Sequence, residues 1–150
     1  MKRITLLMLL ISATAICNAQ SKQNARLEEA RKAIASSNAI YSDLALKNDG
    51  SILSRYSEDA CILPPNAPAL CGQEGILKFF KETPPVHGKF TTLNVYGDGN
   101  EYVTEEGLYE IFDLNGKKLD DGKVLVLWKK TQDGWKMYRD MFSSSHQPIK

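Results

Sequence analysis

Hydrophobic positions along this chain follow two spacings, and the changeover comes near the middle. From Gln23 to Lys47, Leu27, Ala30, Ile34, Tyr41 and Leu44 recur at helical intervals, with Glu28, Glu29, Arg31 and Lys32 facing outward. That predicts one long helix, stopped by Asn48-Asp49-Gly50. A short helical turn follows, with Ile52, Leu53 and Tyr56 apolar and Asp49 or Ser51 as its cap. Ala60 to Leu63 reads as a short strand that ends at Pro64-Pro65, because proline cannot donate to a ladder. Asn66 to Cys71 reads as a loop. Gly72 to Glu82 reads as a second helix with Ile76, Leu77, Phe79 and Phe80 on a broad apolar face, ended by Thr83-Pro84-Pro85.

Beyond Pro85 the period is two. Lys89 to Tyr96 is expected as a strand, with Phe90 and Tyr96 on one face and Leu93 and Val95 on the other. Gly97 to Asn100 is a hairpin turn, Glu101 to Asp113 a long strand, and Leu114 to Asp121 a polar connection. Val124 to Trp128 is an unbroken apolar run, which predicts a strand covered on both faces. After the turn at Thr131 to Gly134, Trp135, Met137, Arg139 and Met141 alternate with Lys136, Tyr138, Asp140 and Phe142. Helices first and a four-strand antiparallel run afterwards is an α+β pattern, with helices on one face of the sheet. Strands of this length twist and curl. A curled sheet closed on one side by a long helix leaves a conical cavity.

The first segment falls outside this domain. Lys2 and Arg3 precede an apolar run from Ile4 to Ile16, and Cys17-Asn18-Ala19 follows, the pattern of a secretory signal peptide cut after Ala19. The run is shorter than the roughly 20 residues a spanning helix needs. A lipoprotein signal at Cys17 is disfavoured by the bulky Ile16 before it. The expectation is a leader (1–19) and a single exported domain (20–150), periplasmic or secreted, with no membrane attachment after cleavage. The chain holds 19 Lys and Arg against 18 Asp and Glu, and losing Lys2 and Arg3 leaves it near neutral. No basic surplus points to nucleic acid. Cleavage leaves Cys61 and Cys71, either a disulfide or two reduced buried thiols; spacing alone does not decide. A bridge would stabilise by roughly 2–3 kcal/mol in the chain-entropy model.

The sharpest chemical feature is Asp140, a carboxylate that shares a strand face with Tyr138 and Phe142 in a strand otherwise suited to a core. It reads either as an acid/base group or, the favoured reading, as a structural carboxylate bonded to backbone N–H groups or paired with a cation such as Arg55. Glu105 and Glu106 are adjacent in a strand, so one of them points inward; Glu106, in register with Tyr102 and Leu108, is taken as that residue. Asp59 reads as a turn residue. His87 and His146 are the only histidines, and neither has ligand-like neighbours, so no metal and no cofactor are expected. Neither a phosphate-binding glycine loop nor a nucleophile elbow is present.

Four stretches then carry a resemblance. They are Ala45 to Pro65 (ALKNDGSILSRYSEDACILPP), Gly72 to Phe80 (GQEGILKFF), Glu105 to Tyr109 (EEGLY) and the hairpin from Gly122 to Asp140. In order and spacing they resemble the SnoaL-like, ketosteroid-isomerase-like branch of the nuclear transport factor 2-like superfamily. The resemblance implies a cone-shaped α+β domain with a deep pocket, often a homodimer joined through the outer sheet face. It implies that Asp140 and Tyr56 are the catalytic candidates, and that Tyr41, Tyr109, Trp128, Tyr138 and Glu106 line or rim the pocket. The expected function is an exported protein binding a small apolar or aromatic molecule. Two alternatives stay open: an isomerase, dehydratase or cyclase with Asp140 as general base, and a dimerisation module whose cone is filled. The full catalytic sets of characterised isomerases and hydratases do not match here.

Overall fold

The computed structural model describes the backbone of residues 2–147 and the side chains of residues 20–147. The leader (1–19), with its expected cut after Ala19, lies outside the residues whose side chains are described. Helix α1 spans Lys2–Lys47, and from Gln20 onward it buries Ala30, Ile34 and Ser37, with Leu27, Tyr41 and Leu44 partly buried on the same stripe. A 3-10 helix over Ser51–Arg55 leads directly into β1 (Tyr56–Leu63). The two-residue strand β2 (Leu70–Cys71) and helix α2 (Gly72–Glu82) come next. Then β3 (His87–Gly97), β4 (Tyr102–Phe112), β5 (Lys118–Thr131) and β6 (Gly134–Ser144) run as a meander.

All six strands form one sheet in the order β2-β1-β6-β5-β4-β3. The meander pairs are antiparallel, whereas β1 lies parallel to β6, so the sheet is mixed. The expected meander is therefore completed by an earlier strand. Tyr56 belongs to that strand rather than to the helical turn before it, and Leu70–Cys71, expected as loop, pairs with β1. Cys61 and Cys71 sit opposite each other across β1 and β2, and their sulfurs are bonded. Lys118 to Asp121, expected as a polar connection, is the first part of β5.

The sheet curls around one core. Val95, Val103, Val126, Trp128, Trp135 and Met137 face inward and pack against Ala30 and Ile34 of α1 and Ile76 of α2. Gly99, in the turn between β3 and β4, lets that turn dock on the helix. A Cβ there would lie within 2.9 Å of Arg26 and Leu27 backbone atoms, and its φ of +72° is costly for other residues.

Two β-bulges decide which residues face in. In β3, Thr92 pairs with Gly107 and Asn94 with Glu106, so Leu93 is the extra residue. Phe90 and Val95 are inward as a result, and Tyr96 is outward, not on the face of Phe90 as simple alternation predicts. In β6, Trp128 pairs with Met137 and Leu127 with Arg139, so Tyr138 is the extra residue. A bulge of this kind inverts side-chain parity beyond it. It allows Trp135 and Met137 on one side of it, and Asp140 on the other, to face the same interior.

Candidate functional site

Between α1, α2 and the concave face of the sheet lies a cavity of about 420 Å³, within the usual size of small-molecule pockets. Phe90, Tyr41, Phe80, Phe79, Phe142 and Tyr109 line it as a connected belt of rings. Neighbouring centroids along the belt are 5.0 to 6.2 Å apart, each pair edge to face. The helical face of α2 supplies Phe79 and Phe80. The rings of β3, β4 and β6 follow from strand parity as corrected by the bulges.

Asp140 also lines the cavity, although only 8% of its surface is exposed. Its Oδ2 accepts a hydrogen bond from the Tyr56 hydroxyl at 2.7 Å, and Tyr41 Oη is 2.9 Å from Tyr56 Oη. Among the described residues no donor reaches Oδ1. Burial pushes the Asp140 carboxyl up to about 6; the Tyr56 hydrogen bond opposes this and the charge of Glu105 adds to it. Burial and the charge of Asp140 hold the hydroxyls of Tyr56 and Tyr41 well above the ordinary tyrosine range, so both stay protonated. Because Tyr56 donates to Asp140, the proton between the two tyrosines comes from Tyr41.

A second carboxylate, Asp120, lines the cavity from β5. It accepts from Tyr109 Oη at Oδ2 and from Ser144 Oγ at Oδ1, both at 2.7 Å. Burial raises its pKa, but the hydrogen bonds from Ser144 and Tyr109 outweigh that and hold it below the usual carboxylate range. Tyr109 can reach Asp120 because Gly122, its partner in register, has no side chain. A Cβ on Gly122 would lie 2.7 Å from the Tyr109 ring and closer still to the Ser143 carbonyl.

The expected site residues separate. Tyr41, Tyr109 and Asp140 border the cavity, and Tyr56 stands behind Asp140 as its hydrogen-bond donor. Trp128 is no pocket wall: it is fully buried in the core, and its Nε1 donates to Glu105 Oε2 at 2.9 Å. Glu106 is corrected too. Glu105 is the inward carboxylate, while Glu106 lies on the outer face and accepts from Tyr96 Oη at 2.7 Å. Tyr138 is not at the rim, because the bulge turns it outward. There it packs with the Arg139 guanidinium 3.7 Å from its ring centre and Tyr102 beside it.

Glu105 is tied on both oxygens, accepting from Asn38 Nδ2 at 2.8 Å and Thr92 Oγ1 at 2.6 Å as well as from Trp128. It is a structural carboxylate with no face left for a ligand. Asp120 and the phenylalanine belt escaped the sequence reading. Asp120 shares parity with Gly122, Val124, Val126 and Trp128, so extending that strand backwards by two pairs would have placed it inward. Among the described residues, no three His, Cys, Asp or Glu side chains converge as metal ligands.

The fold is shared with solved structures. A ketosteroid isomerase-like protein from Erwinia carotovora atroseptica superposes with a TM-score of 0.62 at 15% identity, over 76% of this chain and 95% of that one. An NTF2-like protein with a cystatin-like fold from Novosphingobium aromaticivorans gives 0.64 at 14%, over 95% and 92%. An NTF2-like protein of unknown function from Shewanella oneidensis gives 0.61 at 19%, over 73% and 95%. No family model and no curated protein matches the chain. The chain therefore has the NTF2-like, cystatin-like fold that the resemblance implied. At these identities the likeness speaks for the fold, and function has to be argued from the site.

Proposed function

We propose that this is an exported protein that binds a small, mostly apolar molecule in its aromatic cavity. The observation that carries the reading is the open cavity itself: six rings surround it, and a buried carboxylate with one uncommitted oxygen stands in its wall. A few placed polar groups in an apolar cavity are what orient a bound small molecule. Export is supported by the leader pattern and by the Cys61–Cys71 bond, which belongs in an oxidising compartment. Acid/base catalysis by Asp140 is less well supported. A reaction that builds negative charge on a substrate oxygen needs a donor there. The hydroxyls of Tyr41, Tyr56, Tyr109, Ser42 and Thr83 all donate within the protein.

The second element of the reading is a homodimer through the outer sheet face. Leu93, Leu108, Leu125 and Met141 each expose more than two-fifths of their surface on that face. They surround one shallow depression. A contiguous apolar patch of this kind suits a second copy of the chain.

The test is a thermal-shift screen with small apolar and aromatic molecules, on the wild type and on Ala45→Trp, which fills the cavity from α1. Bound molecules raise the wild-type melting temperature with concentration and leave the variant unmoved. If nothing shifts the wild type and Ala45→Trp melts higher than it, the cavity is unused space and the reading fails.

A further inference from the structure

The polarity of the hydrogen-bond chain carries a statement about the ligand that rests on reading the cavity as a small-molecule site. With Asp140 ionised, Tyr56 donates to it and Tyr41 donates to Tyr56. Both hydroxyl protons then point away from the cavity, toward the carboxylate. Asp140 and Tyr41 both line the cavity, and what they have left to offer there is acceptors: Asp140 Oδ1, which no described donor reaches, and a Tyr41 oxygen that keeps a lone pair. At the other side, Tyr109 and Ser144 direct their protons to Asp120 in the same way. Ser42 donates to the Gly88 carbonyl and Thr83 to the Phe79 carbonyl.

The charges agree with this. Asp140 and Asp120 are the only charged side chains among the described residues that line the cavity, and no lysine, arginine or histidine joins them. Facing Asp140 are Tyr56 from β1, Tyr41 from α1 and the buried Glu105 from β4, none of them cationic. Asp140 is thus a buried carboxylate with no cationic partner among the described residues, in a cavity lined largely by aromatic rings. A carboxylate in that state is stabilised most by a cation that brings its own N–H donors, and the rings add a favourable interaction with positive charge. An anionic or acceptor-only head group beside Asp140 would meet acceptors and negative charge instead; among the described residues the one lining side chain with uncommitted N–H groups is the exposed Asn48 amide.

We propose that the cavity takes a primary ammonium carried on an apolar body, its N–H groups donating to Asp140 Oδ1 and to the Tyr41 hydroxyl oxygen. The ammonium supplies the counter-charge that the described lining leaves out, and the phenylalanine belt holds the apolar body. Protonation of Asp140, which begins as pH falls toward about 6, removes the acceptor and the charge together.

The experiment is calorimetric titration of the full chain with four molecules that share one body: phenylpropylamine, phenylpropanol, benzylacetone and phenylpropanoate. The amine binds about tenfold or more tightly than the alcohol at pH near 7.5, and the ketone and carboxylate bind more weakly than the alcohol. Amine affinity drops as pH is lowered through about 6, while alcohol affinity changes little. Asp140→Asn, checked for folding by its melting curve, loses the amine preference and keeps the alcohol. A ketone or carboxylate that matches the amine overturns the proposal and leaves the small-molecule reading standing. So does an amine preference that survives in Asp140→Asn. Failure of all four to bind overturns both.

Discussion

Asp140 and Glu105 are both buried carboxylates in one interior, and they differ in how many donors reach them. Glu105 has three, one of them the Trp128 indole, and holds α1, β3, β4 and β5 together. Asp140 has one. Its carboxyl is therefore raised from an ordinary 3.8 to about 6, chiefly by burial. Between those two values the folded chain keeps a proton that the unfolded chain has released. Stability contributed by this group is complete below about pH 4 and is lost as pH rises through about 6. The ionised side chain costs on the order of 3 kcal/mol at neutral pH. Asp140→Asn is accordingly expected to stabilise the protein by roughly 1–3 kcal/mol near pH 7.5, less whatever the weaker Tyr56 hydrogen bond gives up, with the gain gone by about pH 4. Urea melts of both proteins at the two pH values measure this. A variant less stable than wild type at pH 7.5 would make Asp140 a structural residue.

Among the elements, β6 does the most to shape the site, through its one extra residue. Tyr138 is accommodated as a bulge, so the strand gives the core Trp135 and Met137 and then turns the same face to the cavity with Asp140 and Phe142. The helices, the meander and the inward side of β5 could be read from hydrophobic spacing, because burial forces one period over many residues. The bulges could not. A single inserted residue changes parity without changing composition, and this is why simple alternation puts Tyr138 and Tyr96 on the wrong faces. The parallel pairing of β1 with β6 was equally hidden, since it depends on residues far apart in sequence. Asp140 was legible as an odd carboxylate in an apolar strand, but its one-sided hydrogen bonding was not. On β5, Gly122 is where Tyr109 and Ser143 close in. Gly122→Ala is expected to push the Tyr109 ring away and break its bond to Asp120, destabilising by about 1–3 kcal/mol. A melting curve gives the size of the loss, and the tyrosine fluorescence of wild type and variant shows whether the ring has moved. A variant as stable as wild type, with unchanged fluorescence, would mean that the strand adjusts freely there.

At the scale of the whole molecule, one face of the sheet is closed by helices and the other lies open. Leu125 is opposite Met141 in register, near the middle of the open face, with Leu93 and Leu108 on neighbouring strands. Leu125→Glu is therefore expected to halve the mass found by light scattering on a sizing column while the monomer keeps its fold. If the wild type already elutes as a monomer, or if Leu125→Glu leaves a dimer intact, this face does not join two copies.

Tyr56 and Asp140 are separated by 84 positions along the chain, and their hydroxyl–carboxylate bond spans the one parallel pairing in the sheet. Hairpins from His87 onward can form between sequence neighbours, whereas this pairing closes a loop that contains α2 and most of the meander, at a larger entropic cost. The polar end of the cavity is consequently assembled from strands far apart in the sequence. Any species in which β1 has detached keeps much of its sheet and has lost the Tyr56 donor beside Asp140. If the chain is exported and binds as proposed above, recognition would begin only at its destination.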